Sequence, residues 1–266
     1  MAHRTIKLTI SYDGTSFVGW QRQAEGVSIQ GLLEGALTRI AGAPVTVYGA
    51  GRTDAGVHAL GQVASAQVDV ELPVDVLARA LNACLPSEVR VVGVEDAAED
   101  FHARFHARSK TYRYVIRNAR IVSPFERAYV WHIPQPLDQS RMQEGAAGLV
   151  GKHDFAAFQS AGGEVADTVR TITRSVLVGG RTLSHLPGGS SDHPAGDGEP
   201  SLLVYEISGD GFLRHMVRAI VGTLVEVGRG PRSATSIPAL LAGGRRADAG
   251  VTAPPRGLFL VRVDYD

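Results

Sequence analysis

Cysteine is almost missing: the 266 residues hold one, Cys84, so no internal disulfide can form. That residue lies on a periodic apolar face, and so little cysteine places the chain in a reducing cytoplasm. Net charge is missing too, with 27 Lys and Arg against 27 Asp and Glu, which argues against the uniformly basic surface of a general nucleic-acid binder. No apolar run approaches a membrane span. The opening Met1-Ala2-His3-Arg4-Thr5-Ile6 lacks the apolar stretch of a signal peptide. Several signatures are absent as well. No G-x-x-x-x-G-K-[ST] cradles a phosphate, Asp54 stands where a dinucleotide fingerprint needs its third glycine, and no G-x-S-x-G elbow carries a serine nucleophile. His102 and His106 stand four apart, but Ala103 occupies the place of a zincin glutamate, and His153-Asp154 has no further ligands near it in sequence. No metal and no cofactor is expected.

What is abundant is apolar material, 44% of residues against 20% charged, enough for one large or two modest domains. Between two strand-like runs, 45–48 and 62–68, lies a stretch with three glycines, an arginine, a carboxylate and an imidazole, residues 49–60. Gly49, Gly51 and Gly56 let the backbone turn tightly and let a ligand come close. Arg52 and Asp54, two apart, set a donor fork beside an acid, which suits a polar, anionic substrate. An Asp beside Gly in a connection more often only shapes a turn. A second concentration lies at 101–127, where Arg104, Arg108, Lys110, Arg113, Arg117, Arg120 and Arg127 face one acid, Glu126. A charge run is most often a solvated face. Here basic residues interleave with Phe101, Phe105, Tyr112 and Tyr114, a pattern suited to stacking and backbone contacts with RNA.

Taken in order, the pattern predicts a strand at 7–12 and a turn-rich loop at 13–23 carrying Trp20, Gln21 and Arg22. An amphipathic helix follows, capped by Ser28 and ending near Gly42. After the strand–motif–strand unit come a helix opened by Pro73 and a strand at 89–94. The order β-α-β-β-α-β is the split βαβ arrangement. The second half is expected to repeat it: strands at 111–117, 129–131, 169–178, 202–207 and 258–265, and helices around Met142–Val150, at 212–224 and near 237–241. The fold class is therefore α+β, two ferredoxin-like or RNA-recognition-like split βαβ domains, 1–108 and 109–266, whose antiparallel sheets abut around a central cleft. Residues 178–200, rich in Gly, Pro and Ser, read as a long mobile insert.

The block Gly51-Arg52-Thr53-Asp54-Ala55-Gly56-Val57-His58 resembles the signature of the pseudouridine synthase A family, which modifies uridines in tRNA. Ser109-Lys110-Thr111-Tyr112-Arg113-Tyr114 is similar to the family's segment around its active-site tyrosine. The run 212–218, ending in Arg218, resembles its third motif, and Gly257-Leu258-Phe259-Leu260 its last strand. The resemblance implies Asp54 as the catalytic carboxylate. It implies substrate contacts from Tyr112 as a stacking platform, from Arg52, from Arg218 paired with Asp54, and from Leu258 packed against the target base. It also implies that the loop at 13–23 reaches out to the RNA. It further implies a tRNA partner engaged at its anticodon stem-loop, at positions 38, 39 and 40, and a homodimer, in the cytoplasm and without membrane contact as cysteine usage and the lack of long apolar runs suggest. Without it, Tyr112 reads in preference as a strand tyrosine packing a core, Leu258 simply as a strand-core residue, and Arg218 as a residue on the solvent face of its helix. The rival function is a tandem RNA-binding protein without catalysis. Against that rival, a pure binder gains nothing from a carboxylate facing phosphate-rich RNA, and the aromatic RNP run is absent.

Overall fold

The structure, a computed structural model, describes residues 4–162, 167–180 and 202–266. The chain divides into two compact units, Met1–Lys110 with Phe259–Asp266, and Thr111–Leu258. The last strand thus packs with the first unit, where a boundary near 108 would have left it with the second. Both units mix helices and strands.

In the first unit β1 (Arg4–Tyr12) buries Ile6, Leu8 and Ile10 on alternate positions, as a half-buried strand must. Helix α1 (Ile29–Ala41) begins where Ser28 Oγ accepts the Gly31 N–H and stops where Gly42 turns left-handed at φ 72°. Next come β2 (Val47–Gly49), β3 (His58–Val68), α2 (Val74–Cys84) and β4 (Val89–Ala97). The strand order is β4-β1-β3, all antiparallel, with β2 paired to β3 through Val47↔Ala66 and Gly49↔Ala64. Strand β3 starts at His58, four residues before the alternation at 62–68 suggests. It is buried along nearly its whole length, so it shows no clean two-residue period.

The second unit contains most of β5 (Ser109–Asn118), then β6 (Trp131–Ile133), α3 (Gln139–Ala147), β7 (Gly151–Asp154), β8 (Val169–Gly180), β9 (Leu202–Gly209), α4 (Met216–Arg229) and α5 (Ser236–Leu241). Its strands run in the order β5-β9-β8-β7, with β6 parallel to β5. Strand β7 is an addition to the expected order. Strand β8 continues through Gly180, past the point where the insert was expected to begin, and the rest of that expected loop, 181–200, lies outside the described residues. Helix α4 begins at Met216, not at Phe212, because His215 before it sits at φ 61°, ψ 5° and a left-handed residue cannot continue a right-handed helix. Finally β10 (Leu258–Asp264) lies parallel to β3, with Phe259 opposite His58 and Leu260 opposite Ala59. Among the described residues no helix is long and apolar enough to cross a membrane.

Candidate active site

The turn that carries Arg52 and Asp54 joins β2 to β3, and its backbone is held from two sides. From the sheet side, Ala50 N–H donates to Val63 O at 2.8 Å and Gln62 Nε2 donates to Gly51 O at 2.9 Å. The other support is the segment that follows β1. Trp20 N–H donates to Thr53 O at 3.0 Å, and Gly19 and Asp54 form an isolated antiparallel bridge. Gly19 has φ 106°, and a Cβ there would come 2.6 Å from Thr53 O, so only glycine permits the approach. Beyond Asp54 the chain reverses tightly: Val57 N–H donates to Asp54 O at 3.1 Å, across Gly56 at φ 75°.

Side chains complete this frame. Thr53 is buried, and its hydroxyl shares a 2.8 Å hydrogen bond with the buried Tyr12 hydroxyl. Burial pushes the Tyr12 pKa up to about 12, against the opposing pull of its hydrogen bonds to Thr53 and Gln62. His58 is buried beneath the turn. Its Nδ1 lies 3.1 Å from the Gly14 N–H and 3.1 Å from Asp13 Oδ1, and its ring stacks on Phe259 at 4.7 Å. Asp54 itself is half-buried. Arg52 is exposed and, among the described residues, its guanidinium has no hydrogen-bond or carboxylate partner. A carboxylate on a fixed backbone beside a free guanidinium can meet a sugar or base while the cation meets a phosphate.

The loop expected to reach outward is therefore split in role. Trp20 is 3% exposed and fills the space over Gly49, where a Cβ would come 2.4 Å from the indole. Thr15, Ser16 and 21–27 are exposed, and Arg22 among them pairs with Glu34 at 3.2 Å. Sequence reasoning placed Trp20 in a loop reaching out to the RNA and did not single out Tyr12, Gly14 or Gly19. Turn formers at 13–19 were the available signal, but nothing in them names Thr53 as their partner.

In the second unit Tyr112 lies on β5, buried, with its ring edge-on to Phe212 at 5.0 Å and 79°. Phe212 opens an irregular turn before α4. Ser160 N–H donates to Arg214 O at 3.1 Å, Arg214 Nη1 donates to Ala161 O at 3.0 Å, and His215 Nδ1 lies 2.9 Å from Ser160 Oγ. His215 is the only non-glycine residue at positive φ among those described, a strained position held by these contacts. Arg218 is half-buried on α4, with Nε donating to Ala253 O at 2.8 Å while Ala253 N–H donates to Arg218 O. That is a fixed position, not a free place on the solvent face. Tyr114 donates to Pro254 O, and burial raises its pKa while the Arg218 and Arg256 charges oppose the rise. Leu258, buried, opens β10. Arg52 and Asp54 thus belong to the first unit, and Tyr112, Arg218 and Leu258 to the second.

Each histidine noted for metal spacing engages one ring nitrogen locally: His102 Nδ1 accepts the Arg104 N–H, His106 Nδ1 the His102 N–H, and His153 Nε2 lies 3.0 Å from Val150 O. Among the described residues no group of three or more His, Cys, Asp or Glu is placed to hold a metal ion.

Comparison with known proteins completes the picture. The family model described as tRNA pseudouridine synthase matches residues 8–106 and 146–266. The tRNA pseudouridine synthase A of Geotalea uraniireducens is 44% identical over 262 residues, covering 98% of this chain and 100% of that one. That of Myxococcus xanthus is 45% identical, covering 98% and 91%, and that of Moorella thermoacetica 42%, covering 98% and 99%. Full-length identity of this order, with the Asp54 turn framed as described, places the chain in the tRNA pseudouridine synthase family.

Proposed function

We propose that this protein isomerises uridine to pseudouridine in tRNA, with Asp54 as the catalytic carboxylate. The observation that carries the reading is the Asp54 turn, whose backbone is hydrogen-bonded from both sides while its acid stays half-exposed beside Arg52. In the reaction the N1–C1′ bond breaks, the base rotates, and C5 joins C1′. The C5 hydrogen leaves as a proton and N1 gains one, so neither oxidant nor energy source is consumed. A carboxylate serves as nucleophile at C1′ or C6, or as base at C2′. The target base must leave its stack to reach that acid. Tyr112 is assigned as the platform it meets, Leu258 as an apolar contact, Arg52 as a backbone contact and Arg218 as the cation paired with Asp54. A guanidinium beside the carboxylate would hold it bidentately in one orientation. Engagement of the anticodon stem-loop at positions 38–40 and assembly as a homodimer belong to the same proposal and rest on the family resemblance, while two split βαβ domains with abutting sheets are proposed from the order of elements along the chain.

The test is tritium release from tRNA carrying 5-tritiated uridine. Asp54→Asn keeps the shape of the side chain and removes its charge, so turnover is lost while tRNA binds within a few-fold of wild type. In the same assay Arg218→Lys recovers only part of what Arg218→Ala loses. Equal turnover for wild type and Asp54→Asn ends the assignment of Asp54, whereas wild type that binds tRNA but releases no tritium favours the non-catalytic RNA-binding reading.

A further inference from the structure

Within the first unit the turn after β4 is fastened down and then presents rings to solvent. Ala103, fully buried, donates its N–H to Ser65 Oγ at 3.1 Å and accepts the Tyr265 hydroxyl at 2.6 Å. Phe101 packs against the Tyr265 ring at 5.2 Å. With that peptide fixed, His102 contacts Tyr48 on β2 at 5.0 Å and 40°, and Phe105 at 4.3 Å and 36°. Three rings stand in series. They are not core residues: Phe105 is 72% exposed and Tyr48 51%. Arg104 holds its guanidinium 5.7 Å from the centre of the Phe105 ring and has no carboxylate partner among the described residues.

Leaving a phenylalanine so exposed forgoes most of the gain from burying it, and the turn that presents it is held too firmly to be an accident of a loose loop. Aromatic faces in a row beside an unpaired guanidinium match one ligand chemistry well, an unpaired nucleobase with its adjoining phosphate. Every base has a π-face, and stacking tolerates any sequence. An aliphatic protein partner would have no use for the cation. Burial and the nearby His106 and Arg104 charges lower the His102 pKa, which keeps the middle ring neutral for stacking.

We propose that Tyr48, His102 and Phe105 form a stacking platform for an unpaired base of the tRNA, with Arg104 against its phosphate. None of the four is among the residues assigned above to the target uridine. The proposal rests on the tRNA reading and extends it to a second point of contact.

The experiment compares wild type with Phe105→Ala, Phe105→Leu, Phe105→Trp and Tyr48→Ala, using a tRNA transcript. Fluorescence anisotropy gives the Kd, tritium release gives KM and kcat, and thermal melts confirm that each variant folds. Phe105→Ala, Phe105→Leu and Tyr48→Ala weaken binding by about 5- to 150-fold, the range for loss of one base–aromatic stack, and the loss falls in KM rather than kcat. Leucine fails to rescue because it is apolar but has no π-face. Phe105→Trp keeps the affinity, and the new indole is quenched when tRNA is added. Phe105→Leu binding tRNA as wild type does, while wild type converts uridine, overturns the platform alone. Wild type that binds tRNA but converts no uridine, with Phe105→Leu still losing affinity, overturns the isomerase reading and leaves the platform standing. Variants that keep their affinity but lose self-association in sedimentation mark the patch as a protein–protein face, which also overturns it.

Discussion

The role proposed for Asp54 depends on how firmly the hydroxyls of its neighbours hold the turn. The residue before it, Thr53, is buried and bonded to Tyr12, so the backbone cannot shift at Asp54 without breaking a buried hydrogen bond. Tyr12→Phe leaves Thr53 Oγ1 without that partner, at a cost of about 1–3 kcal/mol of stability at neutral pH. The pH dependence follows from the raised pKa. A tyrosine titrates near 10 when unfolded, and Tyr12 is pushed up to about 12 by burial in the folded protein. The folded state therefore holds its proton longer. Its contribution is complete below about pH 10 and is lost as pH rises towards about 12. Urea midpoints should fall across that window, and Tyr12→Phe should make the fall shallower, not abolish it, since burial also raises Tyr205. An unchanged slope in the variant would remove Tyr12 from this account.

Among the elements, helices with explicit ends were legible and irregular junctions were not. Ser28 and Gly42 mark α1 in the sequence and cap it in the structure, because each end is decided by one residue's own chemistry. At α4 the apolar spacing of Leu213, Met216, Val217 and Ile220 suggests a helix from 212, but spacing says nothing of the backbone angle at His215. The site shows the same division. The block 51–58 is contiguous and could be read directly, whereas its support from residues 12–20 consists of long-range, mostly backbone hydrogen bonds that leave no side-chain pattern. A paired substitution tests that support. Gly19→Ala places a methyl 2.6 Å from Thr53 O at φ 106°, so it should lower turnover at least tenfold and shift the melt downward. Gly35→Ala, exposed within α1 with nothing within 4 Å, should instead stabilise by about 0.5–1 kcal/mol and leave turnover alone. Equal activity in the two variants would mean that the segment after β1 does not brace the Asp54 turn.

For the whole molecule the question is how a chain of zero net charge holds a polyanion. The basic run at 101–127 offers seven cations, but the structure commits three of them internally. Arg108 pairs with Asp266, Arg113 with Glu206 at 3.0 Å, and Arg117 with Glu126 in a partly buried pair. Arg104, Arg120 and Arg127 are exposed and have no carboxylate partner among the described residues. Each phosphate neutralised contributes roughly −0.7 to −0.9 to the slope of log affinity against log salt. These three arginines together should therefore contribute about −2 to −3, less than half of what seven would give. Replacing Arg104, Arg120 or Arg127 by Ala should make the slope shallower by about one each. Arg113→Ala should leave it unchanged and lower the melting temperature, because it strips a partner from the half-buried Glu206 carboxylate. Salt titrations of tRNA binding on these four variants decide the matter. A slope that responds to Arg113 as strongly as to Arg120 would mean that the intramolecular pairs open to RNA, and that the count of free arginines does not set the affinity.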